Sequence, residues 1–193
     1  MKKNDRQLRL LLVRHGAIIH PGVAAFDEAV LSEEGKRQMR DLAAHWPCAR
    51  PAAVFSSTLP RALQSAMILC ESLGAPLRAL ADLREWPPSF EDITEEEYLR
   101  REEECWRDLE REPDTGESIN EATERVRRGM RRVVDEVGRG DAAVVGHAMI
   151  FTMFLASVRG ERPDIDYKRR IGNAATAVVE HEGGSFCIVK EFF

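Results

Sequence analysis

The chain is short of the features that would place it in several broad classes of protein. It has no membrane-length apolar opening: Met1–Leu12 carries a few charges and then only a brief hydrophobic stretch, too short for a signal-peptide core or a spanning helix. Cysteine is sparse, with Cys48, Cys70, Cys105 and Cys187 far apart and no CxxC pair. That argues against a zinc ribbon or a disulfide framework and fits free thiols in a reducing compartment. No lysine- and arginine-rich tract stands clear of acidic neighbours, and the net charge is −5, so a nucleic-acid surface is not indicated. Internal repeats, low-complexity segments and an interdomain linker are also missing. These absences leave a soluble, cytoplasmic protein with neither membrane nor nucleic acid among its expected partners.

What is present is enough for a core. The apolar fraction is 44% over 193 residues, the size of one ordinary domain. The expectation is a single domain over 1–193 with an insertion or lid at about 86–115. Four short strand-like runs each end at a polar cluster: Leu8–Val13 at Arg14-His15-Gly16, Ala52–Phe55 at Ser56-Ser57-Thr58, Leu77–Leu80 at Asp82-Leu83-Arg84-Glu85, and Ala142–Val145 at Gly146-His147. Helical patterns follow the second run, with Pro60 in the first turn, and the fourth, over Met149–Val158. The repetition predicts a three-layer α/β/α sandwich, its sheet mainly parallel, with reactive groups gathered at the carboxyl ends of the strands.

Two further patterns complete the architecture. Thr176–Glu180 and Phe186–Lys190 flank the turn Glu182-Gly183-Gly184-Ser185 and predict an antiparallel C-terminal element. Thr94 followed by Glu97, and Ser118 followed by Glu121, read as capping boxes that open two helices. The second of these places Ala122, Val126, Met130, Val133 and Val137 on one face. It leaves Arg125, Arg127, Arg128, Arg131 and Arg132 largely on the others, which reads as a solvated surface.

The polar clusters contain the parts of a phosphoryl-transfer site. A neutral imidazole at His15 can attack phosphorus, and the resulting phosphoramidate is labile enough for water to hydrolyse. No metal or cofactor is required if cations neutralise the non-bridging oxygens, a task suited to Arg14, Arg61 and a protonated His147. A helix beginning near Thr58 would add amide donors. The leaving alkoxide needs a proton from a carboxylic acid, for which Glu85, in the apolar company of Trp86, Pro87 and Pro88, is the first choice, and Asp82 and Glu91 are the alternatives.

The motifs Arg14-His15-Gly16, Leu31-Ser32-Glu33-Glu34-Gly35 with Gln38, Ser56 to Ala66, Gly116-Glu117-Ser118 and Val145-Gly146-His147 occur in an order and spacing that closely resembles the histidine phosphatase superfamily, with its phosphoglycerate-mutase-like fold. The resemblance spans most of the chain from Leu8 to His147. It implies His15 as the phosphorylated nucleophile, Arg14, Arg61 and His147 as the phosphate pocket, and Glu85 as the proton donor, with no metal. It covers Glu85 least closely, because the sequence after it continues as Trp86-Pro87-Pro88-Ser89-Phe90. After Gly16 the chain reads Ala17-Ile18-Ile19-His20-Pro21, where mutases of this fold carry a polar residue and an asparagine- and tryptophan-containing stretch. That departure and the short length imply the phosphatase branch rather than a mutase.

Within that branch the substrate stays open among small phosphorylated metabolites, the default, a cobalamin-pathway nucleotide phosphate and phosphoproteins including phosphohistidine proteins. Oligomeric state stays open too. His20, His45 and His181 read as surface or loop residues; Asn173 reads as structural. Trp86, Phe90, Tyr98 and Trp106 read as anchors of the 86–115 segment before they read as pocket walls.

Overall fold

The first strand, β1 (Leu8–Arg14), shows how the sheet is built. Its Leu8, Leu10 and Leu12 join one apolar cluster, Leu11 and Val13 join another, and Arg9 stays exposed. A strand apolar on both faces is what a sheet covered by helices on both sides requires. The computed structural model describes residues 8–87, 93–113, 116–138 and 140–192.

Five more strands follow: β2 (Ala53–Ser56), β3 (Leu77–Ala79), β4 (Ala142–Gly146), β5 (Thr176–Glu182) and β6 (Ser185–Lys190). They lie in the order β3-β2-β4-β1-β5-β6. The first four are parallel, and β5 and β6 are antiparallel additions beside β1. The expected parallel sheet with an antiparallel C-terminal element is the one observed.

Helices α1 (Glu33–Ala44) and α2 (Pro60–Leu73) cover one face, through Met39, Ala43, Ala62, Ala66 and Leu69. On the other face lie α4 (Ile119–Val137), α5 (Ala148–Arg159) and α6 (Ile165–Arg170), through Val126, Met130, Ile150, Phe151, Phe154 and Tyr167. Each Val, Leu, Ile, Phe or Met side chain among them contributes about 1.5–3 kcal/mol on leaving water. Between them, α3 (Glu95–Arg107) closes a third cluster in which Cys105 and Trp106 meet Trp86, Ile119, Met149 and Met153. Trp86 and Trp106 are therefore anchors, as expected, whereas Phe90 and Glu91 lie outside the described residues.

Both helices are capped where predicted, the second by a full capping box, whereas the Glu97 carboxylate of the first pairs with Arg100 and Arg101. Thr94 Oγ1 accepts from Glu97 N, and Ser118 and Glu121 make a reciprocal capping box. The arginines of α4 divide: Arg128 and Arg132 are largely exposed, but the Arg125 side chain is only 15% exposed and turns toward the loop before Trp86. Its reading as part of a solvated face is corrected by three hydrogen-bond acceptors that sequence spacing cannot show, two backbone carbonyls and the Glu117 carboxylate. No helix among the described residues is long and apolar enough to cross a membrane.

Candidate active site

Strand pairing sets the site's position. Arg14 pairs with Gly146 in the β1–β4 register, and the ladder continues beyond it, with His15 N donating to Gly146 O at 3.0 Å and Ser57 N to Val145 O at 3.0 Å. His15, Ser57 and His147 thus emerge side by side at the carboxyl ends of β1, β2 and β4. The rings of His15 and His147 meet edge to face, centroids 5.2 Å apart.

His15 is buried and its tautomer is set. Nδ1 lies 2.8 Å from Gly16 O, and a carbonyl can only accept, so Nδ1 carries the hydrogen and Nε2 keeps its lone pair. Burial, reinforced by the charges of Arg61 and Arg14, pulls the imidazole down to about 3, against the Gly16 carbonyl, which favours the protonated form. The imidazole is therefore neutral near pH 7. His147 has no exposed surface and is held well below its ordinary value by burial first, then by Arg61, His15 and Arg14. The expectation of a protonated His147 does not hold for this arrangement: two guanidiniums beside a buried ring oppose a third cation.

Both arginines are held by carbonyls on one side and left open on the other. Arg14 Nη1 donates to Ile171 O, and Arg61 Nη1 donates to Phe26 O at 2.7 Å with its guanidinium 4.6 Å over the Phe26 ring. Arg14 Nε, Arg61 Nε and Nη2, and both nitrogens of His147 are buried without a protein partner. Unpaired buried polar atoms each cost on the order of 1–3 kcal/mol, so so many gathered around one imidazole call for an anion. Helix α2 adds less than expected at its start, because it opens at Pro60, which has no N–H.

Glu85 follows the short 3-10 turn Ala81–Leu83. Its Oε1 accepts from Trp86 N and Ile150 N and its Oε2 from Met149 N, each at 3.1 Å, so the carboxyl sits at the N-terminus of α5. Burial raises its pKa, and outweighs Arg61 and the backbone N–H groups that favour the carboxylate. Arg84 turns away, to Asp27 Oδ2 at 2.8 Å and Thr58 Oγ1 at 3.4 Å. Of the alternatives, Asp82 faces α4 and pairs with Arg128 at 2.7 Å. Tyr98, read above as an anchor, also reaches the site: its phenol feels the charges of Glu102, Glu85, Arg61 and Asp27, and burial raises its pKa.

The supporting shell uses motif residues whose roles sequence left undefined. A Cβ on Gly16 would stand 2.5 Å from Gly35 O, and one on Gly35 would stand 2.0 Å from Ala17 O, so two backbones touch where no side chain fits. Gly16 N donates to Ser65 Oγ at 3.2 Å, Ala17 N to Gln38 Oε1 at 2.9 Å, and Leu31 N to Gln64 Oε1 at 2.8 Å. From the other side Ala174 N donates to His15 O at 3.2 Å, and Ala174 holds a left-handed φ of 56° to do so, at a cost of about 1–2 kcal/mol. Asn173 itself is exposed, and His20 and His45 are at the surface. Phe26 and Asp27 went unnoticed in the sequence because nothing in their local pattern marks them.

A family model described as the histidine phosphatase superfamily (branch 1) matches residues 10–192. A probable phosphoglycerate mutase GpmB from Erwinia tasmaniensis is 23% identical over 185 residues, covering 91% of this chain and 86% of that protein. A mycobacterial glucosyl-3-phosphoglycerate phosphatase superposes with a TM-score of 0.75 at 22% identity, covering 97% of this chain and 99% of the other. A phosphoserine phosphatase from Entamoeba histolytica, solved with 3-phosphoglyceric acid, gives a TM-score of 0.78 at 17% identity, covering 96% and 97%. Likeness to solved structures at these identities speaks for the fold alone.

Proposed function

This chain belongs to the histidine phosphatase superfamily, and from that membership we propose that it is a metal-independent phosphatase that hydrolyses phosphomonoesters through a phosphohistidine at His15. The observation that carries the reading is the set of buried, unpartnered nitrogens on Arg14, Arg61 and His147 around a histidine whose Nε2 lone pair is free. A phosphoryl group is the ligand they suit: guanidinium forks match its oxygens, and their charge does the work a metal ion would otherwise do.

The Nε2 lone pair attacks phosphorus as the ester P–O bond breaks, and Glu85, protonated, gives its hydrogen to the departing alkoxide. The raised pKa of Glu85 suits a proton donor, and the proximity of a phosphate dianion would raise it further. Glu85, now a carboxylate, takes a proton from water, the water oxygen attacks phosphorus, and the P–N bond breaks to return its electron pair to Nε2. His147 in its neutral form donates one N–H to a phosphoryl oxygen. A small phosphorylated metabolite is the default substrate, and the cytoplasm is the proposed location.

A second reading has one observation in its favour, the name of the Erwinia relative, which would make the chain a phosphoglycerate-mutase-type phosphotransferase. The stretch Ala17-Ile18-Ile19-His20-Pro21 offers little to hold a phosphoglycerate in two orientations. Phosphate release from a panel of phosphomonoesters, in the presence of a chelator and beside His15→Ala, tests the primary reading. Chelator-resistant turnover that vanishes in the variant is expected. Isomerised product dependent on a bisphosphate primer would establish the mutase, and inert small esters with a dephosphorylated phosphoprotein would move the substrate to that class.

A further inference from the structure

The residue proposed as proton donor sits on a segment that no strand holds. Glu85 follows the Ala81–Leu83 turn and an extended Arg84, and its carboxyl must be aimed at the leaving-group oxygen from there. The guanidinium of Arg125, on α4, grips this segment. Its Nη1 donates to Asp82 O and to Arg84 O, each at 2.9 Å, the second being the carbonyl immediately before Glu85. Its Nε donates to Glu117 Oε1 at 2.7 Å, and Nη2 lies 2.5 Å from the same oxygen. Glu117 completes the clamp from the far side, because its backbone carbonyl accepts from Trp86 Nε1 at 2.7 Å. The residues just before and just after Glu85 are thus tied to one ion pair, while Arg125 makes no hydrogen bond to Glu85 itself.

One turn along α4 the same segment is gripped again. Arg128 Nη2 takes Asp82 Oδ1 at 2.7 Å, and a Cβ on Gly129 would stand 2.8 Å from Asp82 Cβ, so the helix backbone lies close against the turn. We propose that Arg125, with Glu117, is a positioning residue for the proton donor: it sets the backbone register from which Glu85 reaches the leaving group. The proposal rests on the reading of Glu85 as the acid. Arginine is required because a planar fork spans two carbonyls and a carboxylate at once, which the point charge of lysine does not. A misplacement of about 1 Å in a group of this kind costs roughly a hundredfold in rate.

The test compares Arg125→Met, Arg125→Lys and Glu117→Gln with Glu85→Gln, using kcat/KM for alkyl phosphates and for p-nitrophenyl phosphate, whose leaving group needs no proton. Each positioning variant is expected to raise the ratio of p-nitrophenyl to alkyl turnover by roughly 10- to 100-fold, in the same sense as Glu85→Gln. The Arg125→Met/Glu85→Gln double variant is expected to be no worse than Glu85→Gln alone. Equal losses on both substrates, or losses that multiply in the double variant, would overturn the positioning role while leaving the acid intact. No leaving-group dependence in Glu85→Gln would instead remove the acid reading. Should Arg125→Met fail to fold, Arg125→Lys and Glu117→Gln, which keep bulk at the same places, carry the same comparison.

Discussion

The arginines differ in how they are held, and that difference sets the effect of changing them. Arg61 is fully buried, anchored by Nη1 on Phe26 O and open at Nε and Nη2, so a lysine there would keep a charge but could not fill both directions. Arg61→Lys is expected to lower kcat/KM by about 10²–10³-fold, with the circular dichroism spectrum unchanged; steady-state kinetics on any accepted ester would check it. The two buried histidines predict a pH effect on stability. A histidine held below its ordinary value binds fewer protons folded than unfolded, so stability falls as pH drops below about 6.5, for His15 down to about 3. Glu85 has the opposite sign: its raised carboxyl stabilises at pH below its ordinary 4.5, and that contribution is lost as pH rises through the folded value. Removing one histidine isolates its share. Urea unfolding of His147→Gln should lose about 1 kcal/mol less than the parent between pH 7 and pH 5.5; an equal loss would mean His147 titrates normally in the fold.

At the scale of elements, the loop after β1 is the part on which His15 depends most. Its path is fixed by side-chain amides from α1 and α2 reaching its backbone, and by the contact of Gly35 with Gly16 and Ala17. Gly35→Ala would push a methyl group into Ala17 O, a backbone atom that cannot swing aside. Expected are a loss of about 1–3 kcal/mol in urea unfolding and a fall in turnover larger than stability alone explains, because Ala17 shares its strand exit with His15. The contrast between elements also explains what the sequence could disclose. The apolar run of β1, the proline start of α2 and the caps at Thr94 and Ser118 are local signals, and each was legible. The seat of Glu85 was not, since its partners Met149 and Ile150 lie 64 and 65 residues away, nor was the inward turn of Arg125, 43 and 41 residues from the carbonyls it grips. His147 was placed by its strand, but its charge depends on neighbours from β1 and α2 that no window along the chain contains.

The whole molecule gathers this cationic site against a net charge of −5, so attraction for an anion comes from the pocket and not from the protein's far field. The sheet order is what makes that possible. With β4 between β2 and β1, three strand ends deliver His15, Ser57 and His147 to one place, and β5 on the far side of β1 brings the Ile171–Ala175 segment that holds Arg14 and the His15 carbonyl. The guanidinium and imidazole nitrogens buried there without a hydrogen-bond partner cost the folded state free energy, and a bound anion that pairs with the donors among them relieves that cost only in the folded state. Orthovanadate or inorganic phosphate at about a hundredfold over its Kd should therefore stabilise the protein by about 2.7 kcal/mol, which for a chain of this size is a rise in Tm of roughly 5–10 °C. Differential scanning calorimetry would measure it, with sulfate as a competitor of similar shape. The shift should disappear in Arg61→Ala, because that change removes the most buried cation, and persist in Glu85→Gln, because the acid serves the leaving group and not the phosphoryl oxygens. Loss of the shift in both variants would place Glu85 in the anion pocket itself and reassign its role.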